Sequence, residues 1–146
     1  MKELIVTKIY EIRENAILSY ADLTGTDLTA ANLTDANLYN ATLRFANFKH
    51  TILINANLTG ADLTGAYLRW ANLRFADLIN ADLTNADLTN ADLSDSILLD
   101  ANLTGADLSY ANLRLANLYK TIINKRWFDY IKHQEVKNFD EIIWVE

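Results

Sequence analysis

The sequence predicts an all-β solenoid, a chain that winds in regular coils around a column of its own leucines. Residues 16–125 repeat every five positions without insertion or deletion, which makes 22 pentads. The central position, i, is Leu in 20 of the 22 pentads, and position i−2 is Ala in 18 of them. On an α-helix this period drifts by about 140° per repeat, and on a flat strand an odd period changes face each time. With the α-helix and the flat strand excluded, the remaining conformation is an extended chain that bends once in every pentad.

Each pentad is expected to contain a short extended pair followed by a bend. Residues two apart on an extended backbone point the same way, so Ala at i−2 and Leu at i both face inward. The bend then falls at i+1 and i+2. Position i+2 holds Gly four times and Asn five times in the repeat, and both residues tolerate the positive φ that tight turns require.

The tandem Ala-(Asp/Asn)-Leu-x-x motif resembles the pentapeptide repeat family, over 110 of the 146 residues. The resemblance implies a right-handed quadrilateral β-helix in which four pentads complete a coil, so that 22 pentads make about 5.5 coils. So narrow a lumen has room only for a small residue such as Ala at i−2 beside the Leu at i. Phe48, which replaces this Leu, is expected to overfill its layer of the core.

The two flanks are predicted to cap the open ends of the solenoid, where exposed strand edges would invite polymerisation. Residues 1–15 form the predicted N-terminal cap, whose apolar spacing suits a helix but also permits a strand. Residues 126–146 form a C-terminal cap or a dimerisation tail, with a helix over 126–136 and a strand over 142–145. The side chains assigned to this cap or dimer contact are Trp127, Phe128, Ile131 and Trp144. We therefore expect a monomer, or a homodimer formed through the tail.

The composition argues against an enzyme and against a metal or cofactor site. There is no Cys, and the two histidines are far apart in the sequence. Carboxylates recur throughout the repeat without a positioned base or nucleophile, so no catalytic, metal-binding or cofactor-binding residue is predicted. The N-terminus has no basic leader before an apolar run, and no stretch reaches the about 18 apolar residues of a membrane span. We expect a cytoplasmic protein without membrane contact.

The outward position i−1 is predicted to be structural. It holds Asp eight times and Asn eight times. A column of Asp alone would repel itself, whereas interleaved Asn can both donate and accept hydrogen bonds between coils. We interpret these side chains as a ladder along the outside of the rod.

Two charged zones stand out when the repeat is divided into coils of four pentads. Residues 36–75 contain an Arg/aromatic belt, composed of Arg44, Phe45, Lys49, His50, Tyr67, Arg69, Trp70, Arg74 and Phe75. Residues 76–95 contain an acidic ring without Lys or Arg, composed of Asp77, Asp82, Asp87, Asp92 and Asp95. Exposed Arg and aromatic side chains are enriched at interface hot spots. A cation-π layer that only covers the turns is the other interpretation of the belt.

The leading hypothesis is a non-enzymatic scaffold that binds another protein, of unknown identity, through the Arg/aromatic belt. A net charge of −6 makes nucleic acid an unfavourable partner. The resemblance also implies an alternative, a DNA-mimic modulator of type II topoisomerases of the quinolone-resistance kind, and a bacterial, cyanobacteria-like source. The chain departs from the DNA-mimic pattern because it is short, lacks an inserted loop and concentrates its carboxylates in one ring. A second alternative is a purely structural spacer.

Overall fold

The computed structural model describes residues 13–146, and most of them wind into a four-sided coil. Residues twenty positions apart form parallel bridges, from Ile17 with Asn37 to Asn102 with Ile122. Four pentads therefore complete each coil, and each side of the rod is a stack of parallel strands contributed by successive coils. The predicted fold class, a right-handed quadrilateral β-helix, is confirmed.

Two sets of backbone hydrogen bonds hold the coils together. Along the axis, the Leu18 N–H donates to the Asn37 carbonyl at 2.8 Å, and the Asn37 N–H donates to the Ala16 carbonyl at 2.9 Å. Within each side-to-side turn, the N–H at i+3 donates to the Leu carbonyl, as Ala21 does to Leu18 at 3.1 Å. Each strand is only one bridge long, so the sheet on each side is held by the same few hydrogen bonds repeated from coil to coil, rather than by a long ladder between two strands.

The corner residue of every turn, at i+2, adopts the left-handed conformation. All 22 such positions from Asn15 to Lys120 have positive φ. A type II turn requires this at its third residue, which explains the predicted preference for Gly and Asn. Other residues are forced into the same conformation, including Trp70 at φ 62. A bulky side chain in this region costs roughly 1–2 kcal/mol, so coil geometry overrides local preference at these corners.

The core is a lumen filled by leucine and alanine. Every central residue from Leu33 to Ile123 is fully buried, and this column includes Phe48. Four residues replace Ala at i−2, and the hydroxyls of the three buried ones donate to a backbone carbonyl: Thr51 to Leu28 at 2.7 Å, Ser96 to Leu93 at 2.6 Å and Thr121 to Leu98 at 2.7 Å. Within residues 13–146, no buried side-chain nitrogen or oxygen lacks a hydrogen-bond partner.

The outward Asp and Asn side chains at i−1 close the turn that follows them. In all sixteen cases the side-chain Oδ1 accepts from the backbone N–H two residues later, at 2.9–3.2 Å. The predicted ladder between coils is therefore wrong for most of them. Among the described residues, only the Asn112 amide donates to another i−1 side chain, Asp92, at 3.0 Å. Asp and Asn both place an accepting oxygen at this position, so the turn selects either residue.

The C-terminal segment folds over the last coil as short elements. In order these are β1 Ile122–Asn124, a 3-10 helix Lys125–Trp127, α1 Phe128–Lys132, a second 3-10 helix Phe139–Glu141 and β2 Ile143–Val145. Strand β2 pairs in parallel with β1. The helix predicted over 126–136 is too long, because the chain after α1 runs beside the coil and Lys137 bridges to Asn117. The strand predicted over 142–145 corresponds to β2.

Side chains of the tail form hydrogen bonds to backbone carbonyls of the last coil and pack against its apolar end. The Trp127 indole N–H donates to the Ala106 carbonyl at 3.1 Å, and Ile131 is fully buried. The Phe128 ring packs against Phe139 and Trp144, with ring centroids 5.2–5.8 Å apart. A dimer through this tail stays a prediction. The predicted N-terminal cap over residues 1–15 lies almost wholly outside the described residues, so its form also stays a prediction.

Helices in the described part of the chain are all too short to cross a membrane.

Asp82→Ala is expected to lower the free energy of unfolding by about 1 kcal/mol, because it removes an acceptor for the Thr84 N–H and hydroxyl. Asp82→Asn keeps an acceptor in the same place and is expected to lose less than about 0.5 kcal/mol. Chemical denaturation of both variants measures the difference. Equal losses would contradict the turn-closing role and point to the negative charge itself.

Candidate interaction surface

The Arg/aromatic belt wraps around three corners of the rod. We number the sides from one to four in chain order, starting with the pentad centred on Leu18. Tyr67 points outward from side three, and the other eight residues are adjacent pairs at i+1 and i+2. The corner after side two holds Arg44 and Phe45, the corner after side three holds Lys49, His50, Arg69 and Trp70, and the corner after side four holds Arg74 and Phe75. The belt is thus not one continuous patch.

Side three carries an open groove of about 500 Å³ between two of these corners. It is lined by Gly25, Asp27, Phe45, Asn47, Lys49, Tyr67 and Arg69. Four of the nine belt residues therefore meet in one place. Gly25, Asp27 and Asn47 were not predicted from the sequence, although the twenty-residue spacing of 27, 47 and 67 places Asp27 and Asn47 in one outward column with Tyr67.

One wall of the groove depends on a glycine one coil away. The Phe45 ring lies against Gly65, where an added Cβ would meet the ring atom Cε1 at 2.6 Å. Only glycine leaves room for the ring in this position. From the sequence, glycine at i+2 predicts only the turn, whereas the spacing of twenty residues between Phe45 and Gly65 indicates that the two lie on adjacent coils.

Three arginines of the belt pair with carboxylates of the next coil, in each case eighteen residues further on. These exposed pairs are each worth about 0–1 kcal/mol. Two of the three carboxylates belong to the acidic ring, so the belt and the ring are joined by ion pairs rather than being separate charged zones. The pairs are Arg44 with Asp62 at 3.5 Å, Arg69 with Asp87 at 3.5 Å and Arg74 with Asp92 at 4.0 Å.

Lys49 breaks this pattern because the residue eighteen positions later is Tyr67 rather than Asp. No carboxylate lies within 4.0 Å of its ammonium in residues 13–146. The Tyr67 hydroxyl forms no hydrogen bond within the same range. The groove thus holds a cation without a carboxylate partner and a phenol with a free donor.

The aromatic corners of the belt combine exposure with an unfavourable backbone conformation. Phe45, His50, Trp70 and Phe75 all have positive φ, whereas 13 of the 18 corner positions outside the belt hold Gly, Asn or Asp. His50 stacks on Trp70 with ring centroids 6.3 Å apart. The Arg44 and Arg74 guanidinium groups lie 5.9 and 5.2 Å from the rings of the phenylalanines that follow them. Cation-π contacts therefore form at two of the four Arg or Lys and aromatic pairs of the belt, so the predicted cation-π layer covers only part of it.

The acidic ring surrounds the rod instead of forming one face. Asp77, Asp82, Asp87 and Asp92 lie on sides one to four in turn, and Asp95 lies at the following corner. A partner that docks on one or two sides would meet only part of the ring. Among residues 13–146, no group of three His, Asp or Glu side chains is placed to hold a metal ion.

Asp27, at one end of the groove, is held in its ionised form. The Thr29 hydroxyl donates to its carboxylate at 2.6 Å and the Thr29 N–H at 3.0 Å, and these bonds lower the pKa of Asp27. The same interactions from Thr24 lower the pKa of Asp22. The negative charge of Asp27 is therefore a permanent feature of the groove near neutral pH.

A family model described as pentapeptide repeats, in eight copies, matches residues 14–44, 43–74, 66–98 and 96–125. The chain therefore belongs to the pentapeptide repeat family. Proteins of this family are generally non-enzymatic and act as protein-interaction or structural scaffolds. No curated protein sequence matches the chain.

Solved structures of the same fold include two cyanobacterial proteins. Rfr23 from Cyanothece 51142 matches with a TM-score of 0.69 at 24% identity, over 99% of this chain and 100% of that protein. HetL from Nostoc sp. PCC 7120, a protein involved in heterocyst differentiation regulation, matches with a TM-score of 0.53 at 32% identity, over 82% of this chain and 67% of HetL. The fluoroquinolone resistance protein QnrB1 matches with a TM-score of 0.51 at 20% identity, over 77% and 57%. At that identity, the likeness to QnrB1 shows the fold alone.

Trp70→Asn is expected to change the free energy of unfolding by less than about 1 kcal/mol. It removes the stacking on His50 but places a residue that favours positive φ at a left-handed corner. Thermal denaturation with Leu68→Ala as a control, which empties a buried site and should cost about 2–5 kcal/mol, makes the comparison. A loss at Trp70 as large as that of the control would mean that Trp70 supports the fold.

Thr29→Ala is expected to raise the pKa of Asp27 toward its ordinary value, because the hydroxyl bond is lost and only the backbone bond remains. Thr29→Ser keeps the hydroxyl and should keep the pKa lowered. Since the folded pKa lies below the unfolded one, the stabilisation is present above the unfolded pKa and is lost as the pH falls through the folded pKa. A carboxyl pH titration by NMR measures the shift, and equal values in both variants would contradict this cause.

Proposed function

We propose that this chain is a non-enzymatic scaffold that binds another protein through the Arg/aromatic belt. The observation that carries the proposal is a set of four large aromatic side chains, Phe45, Tyr67, Trp70 and Phe75, each 49–53% exposed within two adjacent coils. Exposed apolar area is unfavourable in water, and three of these residues also occupy left-handed corners. A partner that covers them would offset part of that cost.

The backbone beneath the belt suits a preformed contact surface. Every side of the rod is bonded to the coils before and after it, so the outward side chains stand on a repetitive, closely bonded frame. Aromatic and Arg side chains on such a frame lose little conformational freedom when they are covered. This favours binding without rearrangement of the rod.

The comparisons support the class of function. A scaffold role agrees with the general character of pentapeptide repeat proteins. HetL, a pentapeptide repeat protein involved in heterocyst differentiation regulation, is an example of a relative with a regulatory role. We propose a comparable role for this chain in the cytoplasm. The bonds from the C-terminal tail to its own last coil support a monomer in preference to a dimer through that tail.

The DNA-mimic alternative has less support. The acidic ring surrounds the rod, and two of its carboxylates are paired with Arg69 and Arg74. A DNA mimic needs dense, unpaired negative charge along the rod, because duplex DNA carries one phosphate charge about every 1.7 Å of its axis. We therefore keep the protein-binding scaffold as the proposed function.

The test is a pull-down from native cell extract with the double variant R69A/W70A and the unaltered chain as baits. The matched control is S109A/Y110A, which truncates the half-buried Ser109 and the exposed Tyr110 at the same corner two coils further on. The free energy of unfolding of each double variant should lie within about 1 kcal/mol of that of the unaltered chain, since all four positions face outward.

A stoichiometric partner recovered with the unaltered chain and the control, but lost with R69A/W70A, is the expected result by quantitative mass spectrometry. Equal recovery with all three baits would exclude the belt as the contact surface. Recovery of a topoisomerase that depends on Asp82 and Asp92 would favour the DNA-mimic alternative.

A further inference from the structure

The repeat provides an internal comparison for the charge of Lys49. The other three cations of the belt each meet an Asp eighteen residues later, whereas Lys49 meets Tyr67. In the same groove, the Arg69 guanidinium lies 3.5 Å from Asp87, and Asp27 accepts two hydrogen bonds from Thr29. Among the cations that line the groove, Lys49 is therefore the one without an ion-paired carboxylate in the described chain. This favours an anionic group in the occupant.

The backbone of side three restricts how a partner can bind there. The Tyr67 N–H donates to the Ala46 carbonyl at 2.9 Å, and the Tyr67 carbonyl accepts from the Phe48 N–H at 2.8 Å. These groups are used between coils, so an incoming chain cannot add to this side as another strand. Recognition must come from side chains, and the groove donors without a hydrogen-bond partner in residues 13–146 include the Lys49 ammonium and the Tyr67 hydroxyl.

The opposite wall supplies an apolar contact. The Phe45 ring is 53% exposed and is seated against Gly65. A groove with cationic and phenolic donors on one part and a fixed aromatic ring on another fits a peptide that carries a carboxylate beside an apolar side chain. An ammonium and a phenolic hydroxyl each donate to a carboxylate, and the bond from the ammonium is charge-assisted.

We propose that the groove on side three binds an acidic linear segment of the partner protein, with a carboxylate on Lys49 and Tyr67 and a neighbouring apolar side chain on Phe45. The inference rests on the proposed function and specifies which part of the belt makes the contact. A nucleic acid fits less well, because tracking a phosphate backbone takes several cations. Here Asp27 lines the groove and Asp87 already pairs with Arg69.

The test selects displayed random linear peptides on the purified full chain and measures the affinities of the selected peptides by fluorescence anisotropy. Enrichment of Asp or Glu next to aromatic or aliphatic residues is the expected outcome. Lys49→Gln should weaken binding about tenfold, because it removes a charged hydrogen-bond donor. Lys49→Arg should retain it within about threefold. Lys120→Gln, a lysine change at a distant corner, is the matched control and should have no effect.

Several outcomes would overturn the inference. These are selected peptides without acidic enrichment, no selected peptides at all, equal affinity for Lys49→Gln, and stronger binding of a single-stranded oligonucleotide than of any selected peptide.

The pull-down separates this failure from failure of the proposed function. Loss of the partner with R69A/W70A but retention with Lys49→Gln would leave the belt as the interface and remove the groove. Retention with R69A/W70A would remove the belt itself.

Discussion

The exclusion of water from a lumen just wide enough for leucine beside alanine is the interaction on which the rest of the structure depends. The central column is fully buried from Leu33 to Ile123, and alanine at i−2 keeps the opposite sides close. Because every coil of the repeat encloses the same narrow lumen, every coil has the same length, and each outward i−1 residue from Ile17 to Asn102 pairs with the residue twenty positions later. The uniform turns and outward columns follow from that register, as does the positive φ at each corner.

Because the register is so regular, each outward side chain has a predictable neighbour on the next coil, and a single substitution changes the surface only locally. A side chain at i+1 meets the i−1 side chain eighteen residues later, which pairs three arginines of the belt with aspartates. Tyr67 at the corresponding place leaves Lys49 without such a carboxylate in the described chain. Likewise, Gly65 gives the Phe45 ring its seat. Substitutions at single outward positions are thus enough to form a binding surface on this fold, without inserted loops.

The corners show a conflict between stability and function. The turn favours Gly, Asn or Asp at its left-handed position, and most corners outside the belt comply. The belt instead places Phe45, His50, Trp70 and Phe75 there, at a cost in backbone energy that their partial stacking only partly offsets. Residues that break a local rule without a matching gain in packing are typical of functional surfaces.

The sequence by itself determined the solenoid, its leucine core, the position of each turn and the columns that bring His50 beside Trp70, because all of these follow from the period of the repeat. Only the tertiary structure decided that Asp and Asn at i−1 close turns, that α1 ends at Lys132, and that Phe45, Lys49 and Tyr67 line one groove. These features depend on side-chain directions and on distances between coils. A linear pattern records which residues share a column, but not which way their side chains point or which atoms they reach.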